Sequence, residues 1–125
     1  MVTQKIVVMA NAHEGLSPVY RFFNTQTGIH LYTISEYERD YILANLPHYS
    51  YEGTKFYVYS PGIHPQETTA VYRFFNTRDG GHLYTISEFE RDYIMDNLQH
   101  YNYEGIKFYV YTKPEFPQPE GNVSM

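Results

Sequence analysis

The stretch from Val19 to Ser60 is written a second time, without a gap, from Val71 to Thr112. The offset is 52 residues, and 32 of 42 positions are identical. The ten differences are Gln26/Arg78, Thr27/Asp79, Ile29/Gly81, Tyr37/Phe89, Leu43/Met95, Ala44/Asp96, Pro47/Gln99, Ser50/Asn102, Thr54/Ile106 and Ser60/Thr112. Three of them cluster in one turn. A repeat restricts a fold more than a single motif does, because both copies must form the same elements, and a unit of about forty residues seldom buries enough apolar surface alone. The copies are therefore expected to share one core about a pseudo-twofold axis. The chain then divides into an N-terminal strand and loop (1–18), repeat 1 (19–60), a linker (61–70), repeat 2 (71–112) and a Pro-rich C-terminal tail (113–125).

Local signals place the residues within each repeat. "VYRFFN" is aromatic and β-branched and runs into "TQTG" or "TRDG", a Gly-containing turn suited to a hairpin, after which "HLYTI" reads as the returning strand. Ser35 with Glu38, and Ser87 with Glu90, have the spacing of a capping box, in which the serine hydroxyl caps the first turn and the glutamate reaches back. Helices are expected from Glu36 to Leu46 and from Glu88 to Leu98. After "HYSYEG" the run "TKFYVY" is a strand whose alternation sets Phe56 and Val58 against Lys55, Tyr57 and Tyr59. The expected class is α+β: two tandem ββαβ units packed into one compact domain with antiparallel sheets. "KIVVMA" adds a strand before the first unit.

Composition removes several functions. A net charge of −5 with no Lys/Arg cluster argues against nucleic acid as a partner. The absence of cysteine removes disulfides, thiolate catalysis and thiolate metal sites. "IVVMA" is too short for a signal-peptide core or a membrane span, so no membrane insertion is expected; the chain is cytosolic, or it is a mature piece whose export signal lies outside it. No nucleophile elbow, phosphate-cradling loop or zinc-binding helix is present, and an enzyme is not expected. Nor is a cofactor or a metal.

Three groups of side chains stand out. Arg39 and Arg91 project from the apolar stripe of their helices, centred in the first copy on Ile42, Leu43 and Leu46; a guanidinium there needs partners, with Glu52, Glu104 or strand-end carbonyls as candidates. It is either a clamp between helix and sheet or, with Asp40, the rim of a pocket. His30 and His82 open strands, where a histidine bonds neighbouring backbone, joins a polar cluster with Asn24 and Tyr32, or ligates zinc if further ligands converge. Fifteen tyrosines and no tryptophan need explaining. Their rings form the seam between copies, or they stack on sugar rings beside Asn, Asp, Glu and His side chains.

The string V-Y-R-F-F-N, G-x-H-L-Y-T, E-R-D and Y-E-G-x-K-F-Y-V-Y resembles a bacterial and fungal tandem-repeat family of unknown function, with units of about forty residues often attached to secreted hydrolases and surface proteins. The matching positions are Tyr20, Arg21, Phe22, Asn24, Gly28, His30, Tyr32, Thr33, Glu38, Arg39, Asp40, Tyr51, Glu52, Gly53, Phe56 and Tyr57, with equivalents 52 residues on. Many relatives carry a Trp just before Y-E-G, where this chain has Tyr49 and Tyr101. The resemblance implies an accessory module, extracellular or on the cell surface, that holds a neighbour near glycan or cell-wall polysaccharide. On that reading the chain is lectin-like, with two quasi-equivalent sites. One lies around Asn24, His30, Tyr32, Asp40, Glu52 and Tyr57, the other around Asn76, His82, Tyr84, Asp92, Glu104 and Tyr109. Ser35, Glu38, Arg39, Ser87, Glu90 and Arg91 are assigned structural roles. The alternative is a structural or adhesion repeat that binds protein, or forms a homo-oligomer, through its tyrosine surface.

Overall fold

The computed structural model describes residues 5–12, 15–112 and 121–124. After β1 (Lys5–Val8) come β2 (Leu16–Asn24), β3 (His30–Thr33), α1 (Glu36–Asn45) and β4 (Tyr49–Tyr59). The second copy supplies β5 (Thr69–Asn76), β6 (His82–Thr85), α2 (Glu88–Asn97) and β7 (Tyr101–Val110), and β8 (Gly121–Ser124) follows. Six strands form one antiparallel sheet in the order β3-β2-β4-β7-β5-β6, and β1 pairs with β8 in a second, two-stranded sheet. The remaining residues of the expected C-terminal tail lie outside the described residues.

This corrects the expected α+β class. The molecule is mainly antiparallel sheet, 49% strand against 19% helix, curled into a half-barrel. The cause lies in "HYSYEG", which continues the strand. Gly53 and Gly105 have φ of 83° and 90°, a conformation that glycine adopts without a Cβ penalty, and the register slips beside them as in a β-bulge. The third strand of each copy therefore runs ten or eleven residues, and the two meet at Tyr59 opposite Tyr109. Two small sheets become one, whose order reads the same from either edge when equivalent strands are exchanged.

The main core lies on the inside of the curl and is built from both copies. It holds Val19, Tyr32, Phe56 and Val58 of the first, Val71, Tyr84, Phe108 and Val110 of the second, and Ile6 and Val8 of β1. Each helix covers a smaller cluster on the other face: Phe22, Leu31 and Ile42 under α1, and Tyr72, Phe74 and Ile94 under α2. The helices meet the sheet along a narrow line. Only Ile42 and Ile94 are buried, whereas Leu43 is 54% exposed, so the stripe expected from Ile42 through Leu43 to Leu46 is narrower than its sequence suggests.

The capping box is half made. Ser35 Oγ accepts the Glu38 N–H at 3.0 Å, and Ser87 Oγ accepts the Glu90 N–H at 3.0 Å. The reciprocal arm is absent because a threonine two residues earlier already takes the serine N–H: Thr33 Oγ1 at 3.0 Å and Thr85 Oγ1 at 3.1 Å. The carboxylates of Glu38 and Glu90 are thereby released for other partners. Arg39 also departs from expectation. Its guanidinium lies over the Tyr20 ring, 4.6 Å from the centroid, and its Nε donates to Asp40 at 2.9 Å, with no contact to Glu52; Arg91 repeats this on Tyr72 and Asp92.

Candidate functional site

Arginine 21 sits in a strand between two core aromatics, Tyr20 and Phe22, and Arg73 sits likewise between Tyr72 and Phe74. A charge in that place needs an anion. The bulge provides it. Arg21 faces Gly53 in β4 while Phe22 faces Tyr51, so Glu52 is the residue skipped by the register, and its Oε1 accepts Arg21 Nε at 2.7 Å. Glu104 meets Arg73 Nε at the same distance. The histidine that opens the neighbouring strand completes each group: His30 Nε2 is 3.2 Å from Glu52, and His82 Nε2 is 3.5 Å from Glu104.

Beyond these shared contacts the two groups differ. Arg73 extends its remaining nitrogens into the other copy, where NH1 and NH2 donate to the two oxygens of Glu38 at 2.9 and 2.8 Å. Beside it the Tyr84 hydroxyl accepts the Tyr32 N–H at 2.7 Å and donates to the Tyr32 carbonyl at 2.9 Å, tying edge strand β3 to the opposite edge of the curl. The hairpin tips also touch: Asn24 Nδ2 donates to the Gly80 carbonyl at 3.3 Å, and Ile29 packs where a Cβ on Gly81 would come within 3.0 Å of it. The Arg73 side chain is 3% exposed and that of Arg21 29%; His82 is 9% exposed and His30 35%.

Protonation follows this enclosure. Burial alone would raise the Glu38 carboxyl, but the hydrogen bonds and charge of Arg73, aided by Thr33, outweigh it and hold the group at about 2. Burial, reinforced by the Arg73 charge, lowers His82 to about 4, so its ring is neutral. Burial also lowers Lys107, again with Arg73 contributing, and raises the Tyr84 hydroxyl.

Glu38 and His82 line a cleft of about 370 Å³ between the copies. Glu38, Tyr41, His48 and Tyr49 form one wall, and Phe75, His82 and Glu104 the other. A second groove of about 540 Å³ shares Glu38 and Tyr41 and runs past Tyr37 to Lys107. Of the expected ligand residues, the cleft brings together His82 and Glu104, with Glu38 added from the structural set. His30 and Glu52 form the open counterpart with Arg21. The others are placed elsewhere. Asn24 is buried, its Oδ1 accepting the Gln26 N–H, and Asn76 Oδ1 accepts the Arg78 N–H. Tyr32 and Tyr84 are core, and Asp40 and Asp92 pair with their neighbouring arginines. The Tyr57 backbone bonds Met9, and the Tyr109 ring is stacked under His64 at 3.5 Å. Sequence reasoning missed Arg73, Tyr41, His48, Phe75 and Lys107 as site residues. The available signal was an arginine flanked by core aromatics in a strand, which demands a partner.

Among the described residues no three His, Asp or Glu are grouped to hold a metal ion, and no helix is long and apolar enough to cross a membrane. A duplicated unit, one curled antiparallel sheet and an ion-paired cleft at the join define a repeat-built β-sheet module. The chain belongs to the family described as Domain of unknown function (DUF5648), whose model matches residues 3–114. Neither the curated proteins nor the solved structures contain a match to it.

Proposed function

We propose that the chain is a non-catalytic, lectin-like module that takes glycan, with cell-wall polysaccharide as the class, into the cleft between its repeats. The observation that supports this reading is the lining. Aromatic rings of Tyr41, Tyr49 and Phe75 stand around the fixed acceptors Glu38 and Glu104 and the neutral His82. Sugar rings stack on aromatic faces while their hydroxyls bond carboxylates and imidazole, and groups already held in place by Arg73 lose little freedom on binding. Glu38, held at about 2, is a poor proton donor at neutral pH, which weighs against glycoside hydrolysis. The open Arg21–His30–Glu52 group offers a second, weaker station, and a long polymer touching both gains avidity. An extracellular or cell-surface location goes with such a ligand.

A structural or adhesion repeat remains the second reading, favoured by the exposed rings of Tyr37, Tyr41, Phe89 and Tyr93 on the helices. A glycan and peptidoglycan-fragment array separates them. The glycan reading expects a signal that Tyr41→Ala and His48→Ala abolish with Tm nearly unchanged. A silent array with well-folded protein rejects it in favour of the second.

A further inference from the structure

The two-pronged grip of Arg73 on Glu38 has no counterpart in repeat 1. Arg21 gives its Nε to Glu52 at 2.7 Å, and its NH1 and NH2 donate to no group among the described residues. Those two nitrogens reach water, because the one unpartnered side-chain nitrogen or oxygen that is shut off from solvent among the described residues is Glu90 Oε1. Arg21 is therefore a guanidinium 29% exposed, anchored on one side and open on the other. Charge leads the same way. In repeat 2, Arg73 and Lys107 are balanced by two carboxylates, Glu38 and Glu104. In repeat 1, Arg21 and Lys55, a residue that the register skips beside Tyr20, have Glu52, and Glu90 makes no contact with Arg21, so the set is one carboxylate short. Phe23 lies two residues along the strand, on the face that carries Arg21, and its half-buried ring meets that of His30 at 5.3 Å between centroids. The equivalent ring in repeat 2, Phe75, lines the cleft.

We infer that the open station around Arg21 takes the carboxylate of an acidic sugar, so that the glycan held by the module is one built with carboxylated units. This rests on the glycan reading and names the class of sugar. Arg73 shows that an arginine in this frame holds two carboxylates at once, one on Nε and one across NH1 and NH2. A ligand carboxylate at Arg21 takes the place that Glu38 has at Arg73, and the anchor on Glu52 keeps the cost of ordering the side chain low. The flat rings of Phe23 and His30 suit a carboxylate mounted on a sugar ring better than one on a flexible peptide side chain.

The test is a titration of the isotope-labelled chain with trigalacturonic acid, its methyl ester and an end-capped triglutamate peptide, followed through backbone amide shifts and the Arg21 Nε–H signal. The acid is expected to move the signals of Arg21, His30 and Gly53 saturably and to bind about tenfold more tightly than the ester, which keeps the sugar rings and removes the charge. Arg21→Gln should bring the acid down to the level of the ester, and Arg21→Lys, which keeps the charge without the fork, should restore only part of the preference. Preserved amide dispersion shows that each variant is folded. Equal binding of acid and ester overturns the inference and leaves the glycan reading standing, whereas no response to either sugar at millimolar concentration overturns both. A preference for the acid that survives Arg21→Gln, or triglutamate binding at Arg21 more tightly than the sugar acid, also overturns it, the last in favour of an acidic polypeptide.

Discussion

Arg73 and Arg21 stand in the same hexapeptide, each with its Nε 2.7 Å from the matching glutamate, and they live in different surroundings. Arg73 is buried and forked onto the opposite copy, whereas Arg21 is half-open with one partner. The difference cannot come from the arginines or their immediate neighbours. It arises where the copies meet, and three of the ten substitutions, Gln26/Arg78, Thr27/Asp79 and Ile29/Gly81, lie in that turn; a Cβ on Gly81 would come within 3.0 Å of Ile29 and 3.2 Å of Asp79. Local sequence sets the strand, the bulge and the first ion pair; the contact between copies decides which arginine is enclosed.

Removing the two arginines in turn should break the comparison most visibly. Arg73→Ala leaves Glu38 and Glu104, whose side chains are 30% and 29% exposed, without their buried cation, and should cost about 3 kcal/mol in denaturant unfolding, the low end for breaking a buried pair. Arg21→Ala, losing a half-exposed pair, should cost about 0–1 kcal/mol. Equal losses would mean that the enclosure has no energetic weight.

Acid sharpens the same contrast. His82 is held neutral down to about 4 in the folded chain, against an ordinary 6.5, so the unfolded chain binds more protons between those values and stability rises with pH across that window. Acidifying from pH 6.5 to 4 should remove up to about 3 kcal/mol, and His82→Gln should flatten that limb. Glu38, lowered from 4.5 to about 2, then loses its contribution as pH falls through that second window; partial exposure makes the effect smaller than the shift alone implies. Stability monitored by equilibrium unfolding at stepped pH reads both limbs.

Tyr84→Phe should cost about 1–3 kcal/mol, because it strips the partner from both the N–H and the carbonyl of buried Tyr32. The smallest effect belongs to Gly81→Ala. Its Cβ meets only side-chain atoms, Ile29 Cδ1 at 3.0 Å and Asp79 Oδ1 at 3.2 Å, so a loss of about 1 kcal/mol or less is expected, relieved when Ile29→Ala is added.

Much of the local structure was legible. Helices expected from Glu36 to Leu46 and Glu88 to Leu98 end one residue earlier, and Phe56 and Val58 are buried on one face as their alternation predicts. The sheet was misread at Gly53, because glycine after Tyr-Glu signals a turn and a bulge equally well in a single sequence. That misreading hid Glu52, the skipped residue, as the partner of Arg21, and left Arg39 to claim it. The asymmetry of the site was beyond local reading, since Glu38 and Glu90, or His30 and His82, sit in nearly identical strings. The hairpin turn marks the difference, through Gln26/Arg78, Thr27/Asp79 and Ile29/Gly81, and its meaning depends on a contact across 52 residues of chain.

The account rests on one copy lending its arginine to the other while the reverse exchange fails. Double-mutant cycles measure this directly, pairing Arg73→Ala with Glu38→Ala and Arg21→Ala with Glu90→Ala. The predicted result is a coupling of about 1–3 kcal/mol for the first pair and a value near zero for the second. Equal couplings in the two cycles would contradict it.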